Sequence, residues 1–115
     1  NIALTERLYN KGGHFKIWLQ SKKTGAENTT IPSVSVSGVS YPLAKVARVG
    51  DWALYQVYIK NWSTLTIGQS LNFILNYTLQ GDEKLYVDDV CFSLSDSNRF
   101  FKDARYPADD ASPSL

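Results

Sequence analysis

The sequence predicts an all-β chain, an antiparallel sandwich or barrel of about six strands. Three observations carry that expectation. Apolar and polar residues alternate along several short segments. Clusters of Gly, Pro, Asn and Asp separate those segments as turns do. No segment of useful length shows the i, i+3, i+4, i+7 spacing of an amphipathic helix. Composition agrees: aromatics reach 13% and the aliphatics lean towards β-branched residues, which suits a pleated, two-layer architecture. At 115 residues the chain fits one domain with a real core.

Taken in order, residues 2–9 are compatible with either a short helical turn or a strand. Asn10-Lys11-Gly12-Gly13 reads as a turn. Residues 14–20 alternate so that Phe15, Ile17 and Leu19 share one face and His14, Lys16, Trp18 and Gln20 the other. Residues 21–30 are a polar loop. The run 33–37 alternates strictly with small hydroxyls, and Gly38 and Pro42 punctuate the stretch after it. A strand at 44–49, a turn at Gly50-Asp51 and a strand at 52–60 come next. On the latter, Ala53, Tyr55, Val57 and Ile59 form one stripe and Trp52, Leu54, Gln56 and Tyr58 the other. Residues 70–79 read as one strand with Leu71, Phe73, Leu75 and Tyr77 on one side and Asn72, Ile74, Asn76 and Thr78 on the other. Residues 84–94 are the last strand, apolar on both faces and therefore expected to be central or covered. From Ser95 the composition turns polar and Pro-containing, so the expected division is a module at 1–94 and a tail or linker at 95–115.

Charge and motifs exclude several function classes. The net charge is +1 and the charges are mixed, with no basic stripe to suggest nucleic acid. No apolar run approaches the roughly 20 residues of a membrane-spanning helix. The start carries no charged-then-apolar signal, so any export signal is expected to have been removed or to lie outside this sequence. The single cysteine, Cys91, forms no internal disulfide and, in an apolar strand, reads as a small buried hydrophobe. His14, the one histidine, has no nucleophile elbow to serve, and phosphate-loop, dinucleotide and EF-hand spacings are missing.

Two constellations invite chemistry. Asp88 and Asp89 are adjacent on a strand and point to opposite faces, so they cannot flank one glycosidic bond together. Either could give an oxygen ligand to calcium, or one could cap a turn while the other is exposed. Trp18, between Lys16 and Gln20, is an aromatic beside planar polar groups, which is what a sugar ring needs for stacking and hydrogen bonding; Asn72 and Asn76 lie on the polar face of another strand. The alternative for Trp18 is packing under a loop or the tail. Three N-x-[ST] sequons occur, at Asn28, Asn61 and Asn76.

Three stretches in order resemble the jelly-roll carbohydrate-binding modules of the galactose-binding-like β-sandwich family, found in secreted bacterial glycanases, adhesins and large surface proteins. HFKIWLQSK is similar to their Y-x-x-S-F-W-x-K strand, GDWALYQVYI to their G-W-x-x-Y strand, and KLYVDDVCFS to their closing (Y/I)-x-D-D-V-x-(L/F) strand. The likeness covers roughly residues 8–94, and FKDARYPADDA faintly resembles segments that come after such modules in tyrosine–aspartate repeat proteins. Family members begin with further N-terminal strands that contribute ligands to a structural calcium. Only about a dozen residues precede the first matching strand here, so a fragment, a shortened variant and an edge completed by another segment stay open.

The resemblance implies an all-β antiparallel sandwich of jelly-roll type, with missing N-terminal strands among the open alternatives. It implies a non-catalytic extracellular or cell-surface module with a glycan ligand. The expected ligand face is Trp18, Lys16, Gln20, Asn72 and Asn76, and the expected calcium ligands are Asp88 and Asp89. The alternative is a structural or assembly domain of a large surface protein, which packs through its sheet edges against neighbouring domains or subunits.

Overall fold

The computed structural model describes residues 2–95. The expected tail lies outside them except for Ser95, whose N–H and hydroxyl donate to the Gly12 and Lys11 carbonyls (3.0 and 2.6 Å). The architecture is all-β and antiparallel apart from one short helix.

Residues 2–11 hold both a strand and a helix. Ile2–Ala3 (β1) pair with residues 70–71, and Glu6–Lys11 form α1. The Thr5 hydroxyl caps the helix by accepting from the Leu8 N–H at 3.1 Å, and Glu6 complements the positive helix start. Gly12 closes it: its N–H donates to the Leu8 carbonyl at 2.8 Å with φ at 80°. A Cβ there would meet the Tyr58 hydroxyl at 2.7 Å and the Ile59 carbonyl oxygen at 2.9 Å, so both conformation and space call for glycine. The expected turn at 10–13 is thus a helix end, and Gly13 already belongs to the next strand.

The main sheet comprises Gly13–Lys22 (β2), Ala44–Val49 (β5), Trp52–Ile59 (β6) and Lys84–Leu94 (β9), in the order β5-β6-β2-β9. A second sheet has Ser33–Val36 (β3), Val39–Pro42 (β4) and Phe73–Asn76 (β8) in the order β4-β3-β8, and Ser70–Leu71 (β7) pairs with β1. The hairpin turns fall where the sequence puts them. Ser37-Gly38, both at positive φ, joins the Val36–Val39 pair, and Gly50-Asp51 joins the Val49–Trp52 pair.

The two sheets share one core. Phe15, Ile17 and Leu19 of β2 and Val34 and Val36 of β3 are buried together with Leu4, Leu8, Leu43, Ile59, Trp62 and Leu71. Phe15 stacks on Phe73 at 5.6 Å, Phe73 tilts against Phe92 at 5.0 Å, and Phe92 meets Trp62 edge-on at 6.2 Å, so an aromatic chain runs from sheet to sheet. The Trp62 indole donates to the Tyr9 carbonyl at 3.2 Å, which fastens the helix to it. Each such side chain contributes about 1.5–3 kcal/mol through burial.

Three features depart from the sequence expectation. Val39–Pro42 is a strand: it lies at a sheet edge, where the N–H that Pro42 lacks is least needed. The expected strand 70–79 changes partner at Asn72, with β7 on β1 and β8 on β3. Ser37 bridges the switch by donating its N–H to the Asn72 carbonyl at 2.8 Å. Cover by the tail falls on residues outside those described, but among the described residues β9 is an edge strand and not a central one. Its two apolar faces have another cause: Cys91 pairs with Lys16 and Asp88 with Trp18, so Asp89 and Val90 together oppose Ile17. This β-bulge reverses the parity of the strand. Before it Leu85 packs against the core, and after it Phe92 and Leu94 do. Asp89 takes the left-handed conformation that the bulge needs, at φ 50°, and its N–H donates to the Asp88 carboxylate at 2.8 Å.

Candidate functional site

The residues expected to form a sugar-binding face do not lie together. Trp18 is on the face of β2 opposite the core, but it is 0% exposed, and its cross-strand neighbour Leu54 is 2% exposed. β2 is therefore buried on both faces, and Trp18 presents no open ring for stacking. Alternation assigned it the correct side of the strand and could not tell whether that side is covered. Lys16 beside it is 9% exposed. Burial pushes the Lys16 ammonium down in pKa, against an opposing pull from Cys91, and burial pushes the Cys91 thiol up, against an opposing pull from Lys16. His14 is likewise lowered, first by burial and then by Lys16, with its ring 5.1 Å from that of Tyr58. Gln20 pairs with Tyr86 near the end of β2.

Asn72 and Asn76 belong to the second sheet. Asn76 donates to the Ser35 and Ser33 hydroxyls at 2.9 and 3.4 Å, and the Asn72 N–H to the Ser37 hydroxyl at 3.3 Å. The five residues are divided between two sheets and make no single surface. Asp88 and Asp89 are exposed and build the bulge. Among the described residues, no group of three or more His, Cys, Asp or Glu side chains comes together that could hold a metal ion.

What the long-range contacts do assemble is a carboxylate knot beside a groove. Glu83, which the sequence places in an undistinguished turn, is 6% exposed. The Ser21 and Tyr77 hydroxyls donate to its Oε2 at 2.5 and 2.6 Å, and the Asn28 amide and Gln80 N–H donate to Oε1 at 2.7 and 3.0 Å. Burial would raise the Glu83 carboxyl, but these hydrogen bonds outweigh it and hold the group down to about 2. Tyr77, partly buried and bonded to that carboxylate, is pushed up to about 12. A carboxylate so firmly ionised is a poor general acid or base; it serves as a fixed anchor. It ties the end of β2, the 23–32 loop and the extension of β8 together. Asn28 strengthens the tie through the Thr78 carbonyl at 2.9 Å, and Asp82 accepts from the Thr24 N–H and hydroxyl at 3.1 and 2.8 Å.

The anchored loop forms one wall of an open groove of about 450 Å³. Its floor is the inner face of the main sheet: Leu19, Ala53 and Tyr55. Asn28 and Tyr77 stand on the loop side, and Lys45 and Arg48 of β5 on the other. Burial raises the Tyr55 hydroxyl, an effect that Arg48 opposes and Glu27 reinforces. The two loop-side residues alone stand 49 positions apart, and nothing local signals their convergence. Alternation foreshadows only the floor, through the stripes that hold Leu19 with Ile17 and Tyr55 with Ala53.

No protein-family model, curated protein or solved structure matches the chain. No helix among the described residues is long and apolar enough to cross a membrane.

Proposed function

We propose that the chain is a non-catalytic, extracellular or cell-surface β-sandwich module of jelly-roll type that binds carbohydrate in the groove over Tyr55. The observation that carries this reading is the groove itself. A half-buried aromatic ring forms part of its floor, and amide, hydroxyl and charged groups stand around it. A sugar ring takes stacking from such a ring and directional hydrogen bonds from such a rim. The Glu83 knot supports the reading further, because it holds the loop wall rigid and so lowers the entropic cost of binding.

The site differs from the one expected around Trp18, because a stacking ring must be reachable. Sheet-edge assembly is less favoured: β5 and β9, the two edges of the main sheet, both carry an irregularity in register, and bulged edges resist strand addition.

Affinity electrophoresis against a panel of soluble polysaccharides, followed by calorimetry on the retained ones, tests the proposal. Retention that Tyr55→Leu abolishes, with an unchanged circular-dichroism spectrum, is the expected result. Retention by none of the polysaccharides overturns it, as does retention that Tyr55→Leu leaves intact.

A further inference from the structure

The groove wall on β5 has an arrangement that regular alternation forbids. Residues three apart on a strand point to opposite faces. Lys45 and Arg48 are three apart, yet they pair with Tyr55 and Ala53, which share the inner face of β6. The pairing shifts between Lys45 and Ala47, leaving Val46 without a partner. Val46 absorbs the extra residue, and both cations face the groove.

Both act on Tyr55, Lys45 by contact and Arg48 through its charge. The Lys45 ammonium lies over the Tyr55 ring, 5.9 Å from its centroid, so a sugar stacked there moves it aside towards the sugar's own acidic group. The Arg48 charge acts on the Tyr55 hydroxyl, where Glu27 opposes it. Neither cation is ion-paired to a carboxylate among the described residues, and Arg48 makes one long hydrogen bond, 3.5 Å to the Gly50 carbonyl. A guanidinium has five N–H donors, and one long bond engages little of that capacity. Lys23 also lines the groove, but its ammonium is engaged by the Thr24 and Ala26 carbonyls at 3.0 and 2.7 Å. Glu27 and Asp51 line it from the loop and the β5–β6 turn, so both signs are present. Only the cations flank the ring from the neighbouring strand of its own sheet.

We infer that the groove selects an acidic saccharide, with a sugar ring on Tyr55 and its carboxylate received by Arg48 and Lys45. The inference rests on the carbohydrate-binding reading above and deepens it. A planar guanidinium matches a carboxylate with two parallel hydrogen bonds, and an ammonium adds a mobile point charge.

The test is calorimetric titration of the whole chain with oligouronates of gluco, galacto and manno configuration. Each is paired with the same oligosaccharide after reduction of its carboxyl groups to alcohols. The acid form of at least one pair is expected to bind about tenfold or more tightly than its reduced partner. That preference should shrink as salt rises. Arg48→Gln and Lys45→Gln, both on exposed side chains, should each remove most of the preference without moving the melting temperature. Equal binding of acid and reduced forms, or preference for the reduced form, overturns the inference and leaves the groove reading standing. Binding of neither form, together with no retention on any neutral polysaccharide, overturns both. A polyglutamate peptide that binds as tightly as the best oligouronate overturns the assignment to sugar.

Discussion

The two edges of the main sheet use the same device for different ends. On β9 the extra residue falls at Asp89 and turns Phe92 and Leu94 into the core. On β5 it falls at Val46 and turns Lys45 and Arg48 into the groove. One bulge repairs packing; the other composes a groove wall. Both also interrupt an exposed edge that would otherwise invite another strand. The Asp88-Asp89 pair, the most conspicuous acidic motif among the described residues, thus does backbone work, whereas the inconspicuous Lys-Val-Ala-Arg run carries the candidate chemistry.

That contrast can be broken by removing each extra residue. Deleting Asp89 should restore regular alternation to β9 and expel Phe92 and Leu94 from the core. The loss should exceed about 4 kcal/mol in denaturant unfolding, enough to prevent folding of a marginal domain. Deleting Val46 should be far milder, about 1–2 kcal/mol, because β5 carries no side chain of the core cluster. It should nonetheless abolish saccharide retention, since one of the two cations then points away from the groove. If both deletions cost the same stability, the division of labour between the two bulges is wrong.

The carboxylate knot gives an effect between those two. Glu83→Gln puts an amide donor where two or more donors already point, and should cost about 2–4 kcal/mol. Because the folded carboxyl is held down to about 2 against an ordinary value of 4.5, its contribution is present above about pH 4.5. It is lost as the pH falls through about 2. The wild-type melting temperature should therefore drop across that window, and the Gln variant should lack that part of the drop. Tyr77 has the opposite sign. Its folded value is raised to about 12 from 10, so its contribution is present below about pH 10 and is lost as the pH rises through about 12. Tyr77→Phe should weaken that alkaline loss.

The smallest effect concerns Asp89 itself. At φ 50° a β-branched residue is strained, so Asp89→Val should cost about 1–2 kcal/mol, whereas Asp89→Gly should be within about 1 kcal/mol of wild type. Equal costs would mean that the left-handed conformation is not what Asp89 provides.

Much of the fold was legible because strand boundaries follow local chemistry. The inner stripes of β2 and β6 and the turn at Gly50-Asp51 needed only alternation and turn residues. Local pattern does not reveal where a strand gains an extra residue, as at Val46 and Asp89. β9 looked apolar on both faces because the bulge moves its inward set from Leu85 to Phe92 and Leu94. Asn72 carries no marker for a change of partner, since Leu71, Phe73 and Leu75 stay in phase across it. The candidate site was largely illegible for a different reason: Ser21 and Glu83 meet across 62 positions, and no local pattern encodes such a contact. Trp18 was assigned to the correct face, but its complete burial is a tertiary fact.

The proposed function places a saccharide in the groove over Tyr55. The most direct measurement is amide and indole chemical-shift mapping of the whole chain during titration with the saccharide that it retains best. The largest shifts are expected at Tyr55, Ala53, Lys45, Arg48 and Asn28, with the Trp18 indole unmoved. Shifts centred on Trp18, Lys16 and Gln20, or on Asn76 and the β3 serines, with the groove silent, would contradict it.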